Sequence, residues 1–194
     1  MTSRYNIIIA AAVLALAQIG FLGWMIAGRA ALLRSGQEVL LKVEPVDPRD
    51  LLRGDFVRLG YEISRLPVEK IENLPESELT ATEGPVVVRL KKDADGYWRA
   101  TAAWLGDAAA TPAGAGEVDI AGRIGSGWSL APGSTIGVDY GIERFYVPEG
   151  EGLAIERDMR VRSFGIKLAV GKDGSSQIKA LVDGDKALFE EPLY

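Results

Sequence analysis

The chain has 194 residues, 47% of them hydrophobic and 25% charged, which suits one or two small folded domains and is too apolar for general disorder. It has no cysteine and no histidine, which excludes disulfides, cysteine-ligated metals, and catalysis by a cysteine nucleophile or a histidine base. Most familiar enzyme classes are thereby excluded, and we expect no catalytic residues, no cofactor and no metal site.

The net charge of −5 is unevenly distributed. The first 34 residues carry three arginines and no acid, whereas the remainder carries all 27 acidic side chains. An acidic body argues against nucleic acid, whose binding proteins present a basic face. The N-terminal arginines flank an apolar run, which points to the lipid bilayer as a partner.

The apolar run from Ile7 to Gly28 contains 22 residues, with Gln18 as its only strongly polar side chain. As a helix it would be about 33 Å long, enough to cross the hydrocarbon core of a membrane. A cleaved signal peptide is the alternative, but Gly28-Arg29-Ala30 makes a poor cleavage site. We predict a transmembrane anchor with its flank over 1–35. The short N-terminal flank and large body favour a body outside the cytoplasm.

One face of this helix combines small residues with a polar amide. Ala11 and Ala15 lie beside Gln18 at helical spacing, a combination that membrane helices use when they associate. We predict a helix contact there, with a multi-pass membrane protein or with a second copy of the chain. The alternative is that alanine and glycine are simply common in such segments.

The body contains an internal similarity at an offset of 79 residues. Residues 38–68 align with 117–147 without a gap, and eight of the 31 positions are identical, where chance would give roughly two. Tyr61 and Ile63 thereby align with Tyr140 and Ile142. We interpret the body as two copies of one β-rich unit; a shared strand pattern is the alternative.

Alternation and turn residues predict four strands in each copy. The predicted strands are 37–44, 55–64, 85–92 and 96–104, then 117–124, 135–147, 160–170 and 175–183. Short helices are predicted near 68–73 and 151–158. The predicted fold class is α+β and β-rich: a transmembrane helix, then two similar, mainly antiparallel β units over 36–105 and 117–194. The small residues of 106–116 predict a flexible linker between them.

The stretch from Gly54 to Tyr61 reads G-D-F-V-R-L-G-Y. It resembles the motif of the GDYXXLXY family of largely uncharacterised bacterial proteins, with Phe56 in place of the first tyrosine. The stretch Asp47-Pro48-Arg49-Asp50 before it and the segment Tyr140–Gly150 also fit the family. The resemblance implies a single-pass protein of the bacterial inner membrane, often associated with multi-pass membrane proteins, with its body periplasmic or extracellular.

The motif region has a structural and a functional interpretation. In the structural one, which we favour, Asp47 caps one helical turn that Gly54 ends. In the functional one, charged side chains form a patch that binds a partner through ion pairs or a cation through carboxylates. The candidate patch comprises Asp47, Arg49, Asp50, Arg53, Asp55, Arg58, Tyr61, Glu62 and Arg65.

We therefore expect a non-enzymatic, membrane-anchored domain outside the cytoplasm that binds or stabilises a membrane-protein partner. The alternative is a carboxylate-based hydrolase or a cation-binding domain in the same location. Convergence of Asp47, Asp50, Asp55 and Glu62 in one pocket would favour the alternative. Carboxylates used in caps and ion pairs would favour the binding function.

Overall fold

One long helix precedes two five-stranded antiparallel sheets in the computed structural model. The structure describes residues 2–44, 56–75, 80, 83–146, 162 and 164–191, and of these 2–3 and 56–58 by their backbone alone. The helix and strands are α1 (Thr2–Ser35), β1 (Gln37–Glu44), β2 (Phe56–Arg58), β3 (Gly60–Tyr61), β4 (Arg65–Pro67), β5 (Gly84–Lys92), β6 (Trp98–Leu105), β7 (Glu117–Ile124), β8 (Thr135–Asp139), β9 (Arg144–Tyr146), β10 (Phe164–Val170), β11 (Ser176–Asp183) and β12 (Lys186–Glu190).

Helix α1 is long and apolar enough to cross a membrane once. Within Arg4–Ser35 an 18-residue window has a mean hydropathy of 2.2, and none of that window is buried against the body. Only its last turns contact the body, where Ala30 and Leu33 are buried. The helix is thus compatible with a single-pass anchor that leads directly into β1.

Each sheet takes strands from both halves of the chain. The first sheet has the order β12-β11-β10-β1-β3, and the second has the order β4-β8-β7-β5-β6. Strand β1 pairs with β10 of the second half, and β7 pairs with β5 of the first half. The segments 36–105 and 117–194 therefore interlock, and their buried side chains form one hydrophobic core.

Two segments lead the chain out of one sheet and into another. After β3, in the first sheet, the chain turns through a 3-10 turn at Glu62–Ser64 and enters β4 in the second sheet. After β8, in the second sheet, it passes through 140–143 and enters β9, which forms a separate two-stranded sheet with β2. We call these two segments, 61–65 and 140–144, the crossing segments.

The strand pairings of the two halves correspond by residue number. Phe56 pairs with Tyr146 in β2–β9. At an offset of 79, Phe56 corresponds to Thr135 and Tyr146 corresponds to Pro67. Thr135 and Pro67 also pair with each other, in β8–β4. The hairpins β5–β6 and β10–β11 correspond at an offset of 78. Each has a bulge at the matching place, at Arg89/Leu90 and at Lys167/Leu168.

One predicted helix of the first half differs from the observed structure. The helix predicted over 68–73 is only a 3-10 turn at Val68–Lys70. Contacts with both halves supply the reason, because the Val68 N–H bonds to the Ser134 carbonyl of the second half and Ile71 forms a bridge with Ala103 of β6. These backbone contacts align the segment with the neighbouring strands, so the helix does not continue beyond its first turn. The helix predicted near 151–158 lies outside the described residues.

The segment 106–116, predicted as a flexible linker, is tied to β5 by a buried arginine. The Arg89 side chain is 8% exposed and donates to both carboxylate oxygens of Asp119, at 2.7 and 2.8 Å. It also donates to the hydroxyl of Thr111, at 3.1 Å, and to the Thr111 carbonyl. A buried guanidinium needs several acceptors, and the small residues of 106–116 let the backbone approach it.

Replacing Arg89 with methionine should lower the free energy of unfolding by roughly 2–3 kcal/mol, because Asp119 and Thr111 lose a charged donor. Thermal unfolding of the full chain in mild detergent, followed by tryptophan fluorescence, measures this. The matched control is Arg123→Met. That arginine pairs with Glu83 at 3.6 Å and both side chains are 67% exposed, so a loss below about 0.5 kcal/mol is expected. Equal effects of the two substitutions would contradict a role for Arg89 in holding the linker.

Candidate functional site

The last two fixed positions of the sequence motif belong to the core. Leu59 and Tyr61 are each 1% exposed, and Gly60 between them is half-buried. The Tyr61 hydroxyl donates to the Ile142 carbonyl at 2.6 Å. Tyr61 was a candidate for the charged patch, but it lies in the interior and presents no surface to a soluble partner.

The same bond occurs in reverse at the other crossing segment. The Tyr140 hydroxyl donates to the Ile63 carbonyl at 2.8 Å. Each tyrosine thus bonds to the residue that follows the other tyrosine by two positions. We call Tyr61, Ile63, Tyr140 and Ile142 the tyrosine clasp. It fastens the two crossing segments to each other.

Both tyrosines of the clasp are held as neutral donors. Burial raises the pKa of Tyr61 well above its ordinary value, and the nearby Glu143 carboxylate raises it further. Burial and Glu143 raise the pKa of Tyr140 in the same way. Because each hydroxyl stays protonated, each can donate to its carbonyl throughout the physiological pH range.

Glu143 lies beside the clasp and is half-exposed. Its Oε1 accepts the backbone N–H of Tyr140 at 2.7 Å. Burial raises the pKa of Glu143, and a hydrogen bond with Asp139 raises it further. This carboxylate pair supports the local backbone: Asp139 also accepts the N–H of Gly141 at 2.9 Å, at a glycine with φ of +75°.

Glu62, another member of the predicted patch, is engaged in an ion pair. Its Oε1 lies 3.3 Å from Nε of Arg99, whose guanidinium also binds Asp95 at 2.6 Å and Asp93. The hydrogen bond with Asp95 is the largest of the influences that raise the pKa of Arg99. Glu62 is thus one of three acids around one arginine.

The other members of the predicted patch are not brought together by the described residues. Arg65 is exposed on β4, where its backbone pairs with Gly137, and the backbone of Arg58 pairs with Arg144 in β2–β9. The remaining five lie outside the described residues: Asp47, Arg49, Asp50, Arg53 and Asp55. Within the described part of the chain, no group of three acidic side chains is placed to hold a metal ion.

The predicted contact face of the helix is fully accessible. Ala11, Ala15 and Gln18 are all exposed along the apolar part of α1. No described part of the body covers them, because contact with the body begins near Ala30. The face is therefore available to another helix in the membrane.

A cleft that the sequence did not predict lies where α1 meets the body. Its volume is about 390 Å³. Its lining residues are Arg29, Gly141, Ile142, Arg144, Tyr146, Ser176, Gln177, Ile178 and Glu191. These residues come from α1, a crossing segment, β9, β11 and the end of the chain. No local sequence motif contains these residues, so the sequence does not indicate the cleft. The offset alignment is the one sequence signal that relates their positions to positions in the first half.

Removing either hydroxyl of the clasp should weaken the fold. Tyr61→Phe and Tyr140→Phe keep the ring but leave a buried carbonyl without its donor, so each should lower the free energy of unfolding by roughly 1–3 kcal/mol. The double variant should lose less than the sum, because both bonds fasten the same crossing. Unfolding in denaturant, in mild detergent, measures all three. Tyr97→Phe, at a half-buried ring, is the control; losses no larger than its loss would contradict the clasp.

Comparison with known proteins gives one match. The family model described as GDYXXLXY protein matches residues 18–181, a range that includes the second half of α1, both crossing segments and strands β1 to β10 in full. Neither the curated proteins nor the solved structures contain a match to the chain.

Proposed function

The chain belongs to the GDYXXLXY family, and from that premise we propose that it is a membrane-anchored protein that binds or stabilises a membrane-protein partner. Its helix spans the bacterial inner membrane once, and its body lies on the periplasmic or extracellular side. The large body on the C-terminal side of the helix supports this orientation.

The observation that carries the proposal is the rigid junction between the helix and the body. Gly36 joins α1 to β1, and its N–H bonds to the Leu32 carbonyl at 2.8 Å. A Cβ at Gly36 would lie 2.7 Å from that carbonyl oxygen and 2.9 Å from the Cβ of Ala169, so the junction is tightly packed. A simple tether would not need a fixed angle. A fixed junction lets one partner contact the helix and the body together.

The exposed helix face supplies the contact within the membrane. Gln18 lies near the centre of the apolar run, where an amide is costly unless it finds a hydrogen-bond partner. Ala11 and Ala15 leave room for the backbone of a second helix beside it. The partner we propose is a multi-pass membrane protein, with self-association through the same face as the second possibility for the test.

An internal repeat is part of the proposal. The eight identities between 38–68 and 117–147 and the matching strand pairings support two copies of one unit that share their sheets. The charge cluster of the first copy has no equivalent in the second, where Asp50 and Asp55 align with Ser129 and Ser134. The copies therefore have different surfaces on a common scaffold.

Gln18→Leu should reduce recovery of the partner without releasing the chain from the membrane. A helix contact of this kind contributes about 0.6–2 kcal/mol, which corresponds to a roughly three- to thirtyfold loss. Ala15→Leu should act similarly, whereas Ala17→Leu, nearly opposite Ala15 on the helix, is the matched control and should have no effect. Crosslinking in membranes, then affinity purification in mild detergent, measures the recovered partner.

Unchanged recovery of every partner with Gln18→Leu, including a tagged second copy, would contradict recognition by the helix.

The orientation of the chain can be tested by cysteine labelling, because the chain has no cysteine of its own. A single cysteine at exposed Asp107 should react with a membrane-impermeant maleimide in intact spheroplasts. Protection of that cysteine until the membrane is opened would contradict the proposed orientation.

A further inference from the structure

Two exposed aromatic side chains lie near the ends of the apolar part of α1. They are Tyr5 and Trp24, an offset of 19 residues along the helix. That offset corresponds to about 28 Å, close to the thickness of the hydrocarbon core. Because tyrosine and tryptophan collect at the two membrane–water interfaces, Trp24 marks the boundary of the hydrocarbon on the side of the body.

The cleft beside α1 lies just beyond this boundary. Arg29 lines the cleft and is about 7 Å further along the helix than Trp24. Ala30 and Leu33, which are buried where α1 contacts the body, are further still from the membrane. The cleft therefore lies at the membrane-proximal end of the contact between helix and body, at the level of the lipid headgroups.

Strand β9 presents two exposed side chains at this level. Arg144 and Tyr146 both line the cleft, whereas Phe145 between them is 2% exposed and belongs to the core. Alternation along the strand thus places Arg144 and Tyr146 together on its outer face. Tyr146 is 68% exposed, at a level where tyrosine is enriched in membrane proteins.

The fold does not require an aromatic ring at this place. At the offset of 79, Tyr146 corresponds to Pro67, which occupies the equivalent place in the pairing β4–β8. The crossing segment of the first half carries the ion pair of Glu62 with Arg99, whereas that of the second half borders the cleft. Helix α1 packs on β10 and β11, so the exposed tyrosine belongs to the half that contacts the helix.

The charge of the cleft differs from that of the body. The body carries all 27 acidic side chains of the chain, and an anionic membrane surface repels it. The charged side chains that line the cleft are two arginines, Arg29 and Arg144, and one carboxylate, Glu191. Guanidinium groups bind phosphate, so the charge at this level suits a phospholipid surface.

From these observations we propose that the outer face of β9 docks on the lipid bilayer, with the ring of Tyr146 in the headgroup layer and Arg29 and Arg144 beside the lipid phosphates. The occupant of this face is the surface of the membrane that α1 crosses. The inference rests on the anchoring in the proposed function but not on the protein partner. The tight junction at Gly36 limits the movement of the body, and the docked tyrosine fixes its tilt.

Spin labels measure this depth directly, because the chain has no cysteine of its own. The variants Trp24→Cys, Tyr146→Cys and Asp185→Cys of the full chain each receive a nitroxide in vesicles of phosphatidylethanolamine and phosphatidylglycerol. Collisions with oxygen, which concentrates in lipid, are compared with collisions with a water-soluble nickel chelate. Asp185 is the control, because it is exposed between β11 and β12, more than about 20 Å along β11 from Ser176 in the cleft.

We expect the ratio of oxygen to nickel collisions at 146 to exceed that at 185 by about threefold or more, because the chelate is excluded from the bilayer. A ratio at 146 no higher than at 185, together with a high ratio at 24, overturns this inference alone. A ratio at 24 as low as that at 185 overturns the anchoring and with it the proposed function.

A label at Glu190, an exposed residue beside the cleft, reports docking with Tyr146 in place. Tyr146→Ser should lower the collision ratio there about twofold, and Tyr146→Trp should keep or raise it, a result that a misfolded protein cannot give. The matched control is Trp128→Ser, since the exposed ring of Trp128 packs on Gly137 and does not line the cleft. No loss with Tyr146→Ser, or an equal loss with Trp128→Ser, would overturn the docking of Tyr146.

The same labels separate lipid from a protein occupant. The vesicles contain no other protein, so a label at 146 that is in water there but is protected in native membranes would show that a protein covers β9. That result would overturn docking on lipid, whereas protection in the vesicles supports it.

Discussion

The fold depends on how the two crossing segments lead the chain from one sheet into another. Backbone groups that leave a sheet lose their ladder partners, and buried ones must find others. At the two crossing segments the carbonyls of Ile63 and Ile142 are satisfied by the hydroxyls of Tyr140 and Tyr61, at 2.8 and 2.6 Å. Because each bond joins one half to the other, neither crossing is complete without its counterpart.

This constraint explains what the motif region does in the structure. The fixed leucine and final tyrosine, at 59 and 61, are core residues, and the tyrosine performs its role through its hydroxyl. The charged side chains that follow lie at the surface, where Glu62 forms an ion pair with Arg99. The halves share the scaffold and differ in what covers it: an ion pair fills one position, and an open cleft lies at the other beside the membrane helix.

Local patterns predicted the elements well because alternation and apolar runs depend on nearby residues. The helix and the strands 37–44 and 117–124 agree closely with the predictions from the sequence. The exchange of strands between halves was not predictable in this way, since alternation identifies a strand but not its partner. Strand β12 was missed for a similar reason, because it is short and lies at a sheet edge.

The candidate site was harder to predict than the fold. The sequence drew attention to the dense charges of 47–65, whereas the described cleft joins Arg29 to Gln177 and Glu191, which are far apart along the chain. The small residues of 106–116, which lack periodicity, predicted a flexible linker, and they gave no sign of what holds it. The interaction that holds it comes from Arg89, a charged residue within a strand whose burial could not be read from its neighbours.

The central claim is that the two halves form one interlocked body, and division of the chain tests it most directly. Fragments 1–113 and 114–194, produced separately and together, can be compared by amide hydrogen exchange. Neither fragment alone should show slow exchange in its strands, because β1 requires β10 and β7 requires β5. Together they should associate and regain the protection of the intact chain. Native-like protection in either fragment alone would contradict the account.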